Sequence, residues 1–404
     1  MIAGTSAATL ISAASFAEPT DRVEVDQENS GVNTAQDIQS ADAVETTDSS
    51  AVAQANSVAD QLTNWTAVTG AQSMSGAVDA FAARAVGEVW SYAISNAVAQ
   101  GNALTVGAEA TFDLNLEQSA GAGSRVSALS DLRIASYAGH TVQGAGAAAN
   151  AVEVAGASDQ TLTLDQSSGA DVGAGALLDA PDAEIETFAQ GAQAAGNSLT
   201  AGGYGSSPVA DITQSQTGTV EAIAGADIAD ADYGGVSASS AAGNTVTMTN
   251  SYGYSHAQGS QTNAGLVRAT TTLNIADFGN GLIAGSASAV GNSSLVSNIG
   301  SNAYSGVDQV NSGPVVAQVS LLGGGPGAGV GAGAALSASA IGNAQSAYIC
   351  SECPASLNAA INQTNSGPVT AGAFASHSGV VNALSGSAVA VGNAATLSSR
   401  TAGE

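Results

Sequence analysis

A period of about 48 residues runs through the chain and limits the folds open to it more than any other feature. The motif Ala-x-Gly-Asn and its variants place one asparagine in each of eight units, at intervals of 46, 48, 47, 47, 48, 51 and 50 residues. These residues are Asn56, Asn102, Asn150, Asn197, Asn244, Asn292, Asn343 and Asn393. Such a fixed period is typical of repeat architectures, in which each unit packs only on its neighbours.

A glutamine followed after three or four residues by glycine recurs in the same register, 16 to 20 residues after the preceding asparagine. The glutamines are Gln27, Gln72, Gln118, Gln166, Gln214, Gln261, Gln309 and Gln363. The clearest copies read DQVNSGPVVAQV from Asp308 and NQTNSGPVTAGA from Asn362. The copy VDQENSGVNTAQ, from Val25, indicates that the array starts close to the N-terminus.

Residues around both signatures alternate in polarity with a period of two, as in Ser-Ala-Ser-Ala at 337–340, and this pattern is typical of strands. Each Gly-Asn or Ser-Gly is expected to form a corner where a positive φ is tolerated. The sequence therefore predicts an all-β fold, a repetitive β-solenoid (parallel β-helix). We predict two coils in each unit, one carrying the asparagine and one the glutamine, in a rod of ~77 Å. One large turn per unit, with like amides stacked directly as ladders, is the alternative that the sequence leaves open.

The composition indicates a narrow core. Hydrophobic residues make up 44% of the chain, but only 4% of residues are aromatic and 50 are glycine. Small side chains suit closely stacked backbone layers. Inward-facing amides are expected to bond backbone groups near the corners, a structural role.

The charge excludes one class of partner. Thirty-three acidic residues face six basic ones, all arginine, and the formal net charge is −27. Phosphate backbones require a clustered cationic surface, so nucleic acid is excluded. Only 10% of residues are charged, which favours an ordered chain over a disordered one.

Residues 1–17 are predicted to be a truncated signal peptide, because they are weakly apolar and end in Ser-Phe-Ala, although a basic n-region is missing. Residues 18–404 are then predicted to form a single solenoid domain. Cys350 and Cys353 lie in the longest spacing between an asparagine and the following glutamine, and we expect them to form a small disulfide that pins a surface loop.

The sequence offers no constellation for chemistry, so we predict no catalytic, cofactor-binding or metal-binding residues and no enzyme activity. His140, His256 and His377 fall at different phases of the repeat and are expected to be exposed loop residues. Acidic clusters at 179–186 and 227–232 could line one outer face; a solvated face is favoured there over a calcium site. Exposed tyrosines could stack on sugar rings or be scattered surface aromatics; they are Tyr137, Tyr204, Tyr252, Tyr254 and Tyr304.

Through its Ala-x-Gly-Asn and Gln-x-Asn-Ser-Gly units, its acidity and its length, the chain resembles the holdfast anchoring protein D family of stalked alphaproteobacteria. A weaker likeness extends to curlin-type repeats. The family resemblance implies a protein exported to the extracellular face of the outer membrane, at the cell pole or stalk tip. There it would retain the polysaccharide holdfast together with other holdfast anchor proteins. The alternatives are a self-assembling amyloid-like fibre or surface-layer subunit, with end-to-end association, and, less favoured, a polysaccharide-processing β-helix enzyme.

Overall fold

The computed structural model describes residues 21–324, 330–351 and 355–401, and these residues form a β-solenoid with no helix. The predicted all-β, parallel solenoid is confirmed. The predicted signal peptide, residues 1–17, lies outside the described residues.

Many of the strands are nine residues long, and several others are much longer. In the first half of the chain they are β1 (Asp21–Asn29), β2 (Val32–Leu62), β3 (Thr66–Met74), β4 (Ala77–Ala108), β5 (Phe112–Ala120), β6 (Arg125–Gly156), β7 (Gln160–Ser168), β8 (Asp171–Tyr204), β9 (Pro208–Gln216) and β10 (Val220–Ala231). The remainder are β11 (Gly234–Ser251), β12 (Ser255–Asn263), β13 (Val267–Asp277), β14 (Leu282–Ile299), β15 (Ala303–Asn311), β16 (Val315–Gly323), β17 (Val330–Gly331), β18 (Gly333–Ser351), β19 (Leu357–Ala359), β20 (Gln363–Asn365), β21 (Val369–His377), β22 (Val380–Val381) and β23 (Leu384–Thr401).

The strands form two large parallel sheets that run the length of the described solenoid. The first sheet stacks the short strands in the order β1-β3-β5-β7-β9-β12-β15-β19, with β20 also on β15. The second sheet stacks the long strands β2, β4, β6 and β8, and continues through pairs of shorter strands from β10 to β23. Each coil therefore consists of one short strand and one long, bent path.

The prediction of two coils per unit is wrong, because each unit of about 48 residues is one coil. Strands of neighbouring units pair directly, so that Asn56 is in register with Asn102 and Gln27 with Gln72. A single turn can hold so many residues because a strand such as β4, of 32 residues, bends within its own course, so that Ser95 Oγ reaches the carbonyl oxygen of Ala82 in the same strand. Eight coils then give a rod of ~38 Å, half the expected length.

Two apolar clusters fill the interior. The larger cluster is rich in alanine and valine and lies inside the bent second sheet, with Ala80 and Val126 among its members. The smaller cluster packs the first sheet against the end of the long strands, through larger side chains such as Leu114 and Leu164. Alternation along the strands places these side chains inward, which explains how a sequence poor in aromatics still builds a continuous core.

The corner glycines are required by close stacking of backbones. An added Cβ at Gly265 would lie 2.0 Å from the carbonyl oxygen of Gly218, the equivalent residue one coil earlier. Neither residue has a positive φ, and the Gly-Asn pairs lie inside strands, as Gly101 and Asn102 do within β4. The prediction that these corners use a positive φ is therefore wrong. The chain turns there while its backbone stays hydrogen-bonded to the parallel strands of the neighbouring coils.

Among the described residues, none belongs to a helix with the length and apolar character needed to cross a membrane.

Candidate functional site

The eight repeat asparagines form one column through the solenoid. Each side chain donates from Nδ2 to Oδ1 of the asparagine on the next coil, at 2.7 or 2.8 Å, from Asn56 through to Asn393. The six asparagines of the middle coils have no exposed surface. The column is therefore a continuous amide ladder that joins all eight coils.

The second hydrogen of each asparagine amide crosses the interior to the first sheet. Asn102 Nδ2 donates to the carbonyl oxygen of Ser119 at 2.9 Å, and Asn244 Nδ2 donates to that of Thr262 at 2.8 Å. Both donors of the buried amide are thus used. Because a buried polar group without a partner costs about 1–3 kcal/mol, this complete pairing makes a polar column tolerable inside the core.

The eight glutamines form a second ladder in the first sheet, with the opposite direction of donation. Gln72 Nε2 donates to Gln27 Oε1 at 2.8 Å, and the same pattern continues to Gln363, which donates to Gln309 at 2.7 Å. Each following glutamine also donates to a backbone carbonyl of the second sheet, as Gln118 does to Ala151 at 3.2 Å. The asparagine dipoles point one way along the rod and the glutamine dipoles point the other.

The two ladders separate the two apolar clusters. In β4, Asn102 lies between Ala99 of the larger cluster and Leu104 of the smaller one. The glutamines occupy the equivalent boundary in the first sheet, where β5 passes from one cluster to the other. The ladders therefore form a polar partition that fixes the register of both sheets at once, since a slipped strand would break amide bonds on two coils.

Sequence reasoning missed a third amide ladder. Asn263 donates to Asn311 and Asn311 to Asn365, each at 2.7 Å. A signal existed, because each of these asparagines stands two residues after a repeat glutamine, in Gln-Thr-Asn or Gln-Val-Asn. A shorter pair joins Gln190 to Gln143 at 2.6 Å inside the larger cluster; no repeat signature marks that pair.

The histidines were predicted to be exposed loop residues, and this is wrong. They lie on β6, β12 and β21, where strand stacking brings them against aromatic rings. His140 lies 4.9 Å from the ring of Tyr92, and His377 lies 5.1 Å from the ring of Phe278.

Carboxylates collect at the outer bend of the second sheet. Asp230 is in register with Glu184 on one side and with Asp277 on the other. Partial burial raises the pKa of Asp230, and the charges of Asp277, Glu184 and Asp232 raise it further. Within the described ranges, no group of three or more His, Cys, Asp or Glu side chains is placed to hold a metal ion.

Three arginines make ion pairs on the outer face of the second sheet. Arg125 contacts Asp79 at 2.6 Å, and Arg268 contacts Glu221 at 3.2 Å. The third, on β6, is Arg133, which contacts its neighbour Asp131 at 3.1 Å. These cations are spread over the sheet and do not share one groove.

Five ring-bearing side chains lie where the second sheet turns into the first, in the fourth to the seventh coils. We call this surface the aromatic corner; it consists of Tyr204, Tyr252, Tyr254, His256 and Tyr304. Tyr204 and Tyr252 are 69% and 63% exposed, and their ring centroids are 5.2 Å apart. His256 stacks on Tyr304 with centroids 4.4 Å apart.

Of the predicted surface tyrosines, Tyr137 lies elsewhere, at the acidic bend. Its hydroxyl donates to Glu186 Oε1 at 2.6 Å, and this hydrogen bond raises the pKa of Tyr137 to about 12. The predicted disulfide stays a prediction, because Cys353 lies outside the described residues.

The comparison with known proteins gives one match. The sequence model of the family described as Holdfast attachment protein D matches residues 41–314, more than half of the chain. No curated protein and no solved structure matches the chain significantly.

Proposed function

The chain belongs to the Holdfast attachment protein D family, and from this membership we propose that it anchors the polysaccharide holdfast to the cell envelope. The family is one of attachment proteins that act at the cell surface. The finer proposal is that this chain sits on the extracellular face of the outer membrane, at the pole or stalk tip, and holds the polysaccharide there.

The observation that carries the proposal is the stacking of eight coils that two amide ladders hold in register. The two amide ladders run through all eight coils, so the outward faces of the strands keep a fixed spacing of ~4.8 Å. A polymer that contacts several coils at once gains affinity through effective concentration, even when each contact is weak. A stiff array of this kind can resist shear without a single strong site.

The net charge of the chain restricts which polysaccharides it can bind. With a net charge of −27, the protein repels polyanions and favours neutral or cationic polysaccharides. We propose the holdfast polysaccharide and other holdfast anchor proteins as partners, and no nucleic acid.

Self-association end to end is a second part of the proposal. In the strand order of the described residues, β1 and β2 form one edge of the stack, and β19 and β20 of the first sheet with β21 and β23 of the second form the other. Edge strands present backbone donors and acceptors to a further strand. A second copy stacked edge to edge would continue both sheets in parallel.

The proposal is tested in cells that lack the gene. Holdfasts are labelled with a fluorescent lectin, attached cells are exposed to increasing flow, and the holdfasts left on the glass without a cell are counted. If the chain is an anchor, the deletion strain should leave holdfasts behind at flow rates at which wild-type cells stay attached. Restoring the full chain should restore attachment. Equal retention in the deletion strain and the wild type would contradict it.

A further inference from the structure

The outer face of the first sheet combines two features that no other described surface brings together. At one end it carries the aromatic corner. Beside this lies a shallow groove of about 450 Å³ on β3, β5, β7 and β9. The polar residues that line the groove include Asn115, Glu117, Thr163, Asp165, Asp211 and Thr213.

Tyr252 shows that the aromatic corner is more than a chance grouping of rings. It is the one residue other than glycine with a positive φ, 64°, in the part of the chain that the structure describes. The equivalent positions on the two neighbouring coils are Gly205 and Gly300, with φ of 71° and 84°. Bulky side chains disfavour this backbone conformation, and such outliers concentrate at functional sites. A tyrosine therefore stands where the fold itself favours glycine.

Other contacts hold the rings of the aromatic corner in place. The ring of Tyr304 reaches over Gly306, where an added Cβ would lie 2.4 Å from the tyrosine hydroxyl. Tyr254 Oη and His256 Nδ1 are 2.9 Å apart, and His256 Nε2 is 3.1 Å from Gln258 Oε1. Rings that are already ordered lose little conformational entropy when a ligand stacks on them.

The groove and the aromatic corner lie side by side on this face, since Tyr252 stands six residues before Gln258 in the chain. Gln258, which contacts His256, is in register with Asp211 of the groove. Asp211 is in turn in register with Thr163, and Thr163 with Asn115. The row therefore leads from the edge of the aromatic corner into the groove and rises by ~4.8 Å from coil to coil.

We propose that this face binds an extended polysaccharide that crosses it from the groove to the aromatic corner. Sugar rings stack on the aromatic corner, and hydroxyl or amino groups bond the carboxylates and hydroxyls of the groove. Since Glu117, Asp165 and Asp211 are exposed acids in a chain of charge −27, the ligand is a glycan of neutral or amine-bearing sugars and not a polyuronate. The inference rests on the proposed function and names the site and ligand class that would serve it.

The binding test uses the full chain and three hexasaccharides, built from N-acetylglucosamine, from glucosamine and from a uronic acid. Calorimetric titration is expected to show binding of the first two and not of the third. Added salt is expected to weaken only the glucosamine complex.

Tyr252→Gly is the informative variant, because glycine suits the local backbone. Its urea midpoint is expected to equal or exceed that of the wild type, while its affinity for both bound hexasaccharides falls at least tenfold. Asp211→Asn is expected to weaken the glucosamine hexamer alone, at least threefold. The matched control is Tyr233→Ala, which removes a 59% exposed tyrosine from the turn between β10 and β11 and is expected to leave all affinities unchanged.

Failure of the wild type to bind either sugar would overturn the inference, as would wild-type affinity in folded Tyr252→Gly. Preferential binding of the uronic acid hexamer would also overturn it. The flow assay on Tyr252→Gly cells separates this inference from the proposed function. If the deletion strain sheds holdfasts but Tyr252→Gly cells retain them, the site is wrong and the anchor function stands. If the deletion strain retains holdfasts, the anchor function itself is wrong, whatever the glycan titrations show.

Discussion

Asn244→Asp tests the amide ladder with almost no change in side-chain volume. Asn244 is fully buried, accepts a bond from Asn197 and donates to Asn292 Oδ1 and to the carbonyl of Thr262, each at 2.8 Å. An ionised aspartate can keep the accepted bond but loses both donated ones. Its oxygens would then face two other acceptors inside the core.

The expected loss in the free energy of unfolding follows from these contacts. A protonated aspartic acid donates one of the two bonds, so the neutral variant loses about 1 kcal/mol. No cation contacts the ladder at this position, so burial would raise the pKa of the new carboxyl and keep it protonated in the folded state. The unfolded chain ionises normally, and the loss therefore grows by about 1.4 kcal/mol for each pH unit above the ordinary pKa of aspartic acid. The expected loss is about 2.5 kcal/mol at pH 5 and about 5 kcal/mol at pH 7.

The assay is urea unfolding followed by far-ultraviolet circular dichroism at several pH values between 5 and 7. Asn115→Asp is the matched control, because it adds the same group on the exposed outer face of β5 and should change stability by about 0.5 kcal/mol or less. The slope against urea should stay constant, so that midpoints can be compared. Equal midpoints for the two variants across this pH range would refute the ladder reasoning.

Three further outcomes are expected from single changes. Gly265→Ala should lower the urea midpoint, because its Cβ would lie 2.0 Å from a backbone oxygen. Gly173→Ala has no atom within 4 Å of its Cβ and should leave the midpoint unchanged or raise it slightly. The folded state raises the pKa of Asp230, so this carboxyl lowers stability as the pH rises above its ordinary pKa. Asp230→Asn should therefore raise the urea midpoint at pH 7 and give no gain at pH 3. Tyr137→Phe should remove a phenolate absorbance step at about pH 12 from the titration of the folded protein; an unchanged step would contradict the hydrogen bond to Glu186.

The repeat and its strand character could be predicted from the sequence because both depend on local patterns. The interval between Asn56 and Asn102 and the alternation of small side chains are visible without a structure. Alternation indicates only that a segment is extended. It does not show that β4 folds back on itself before the coil closes, and so the number of coils in a unit was predicted wrongly.

The amide and glycine positions could likewise be predicted only in part from the sequence. The repeat of Gln-x-x-x-Gly identified glycine at the corner that includes Gly218 and Gly265, but the need for it comes from a backbone on the next coil, which sequence alone does not place. The ladder at Asn263 was overlooked because it begins only in the later coils.

The aromatic corner illustrates what sequence could not provide. Tyr204, Tyr252 and Tyr304 are separated by about 50 residues each, so they stood out as individual exposed residues and not as one surface. Only the register between coils brings Tyr204 against Tyr252 and Tyr304 against His256. Only the backbone shows that Tyr252 occupies a position that glycine holds on either side.

Direct binding of the purified chain to holdfast material is the measurement that tests the account most directly. Holdfasts shed on glass by the deletion strain are incubated with increasing concentrations of fluorescently labelled protein, with excess unlabelled protein as competitor. The account predicts saturable, competed binding that is lost in a Tyr204→Ala, Tyr252→Gly double variant with a wild-type urea midpoint. Absence of saturable binding by the folded wild-type chain would contradict a direct anchor to the polysaccharide.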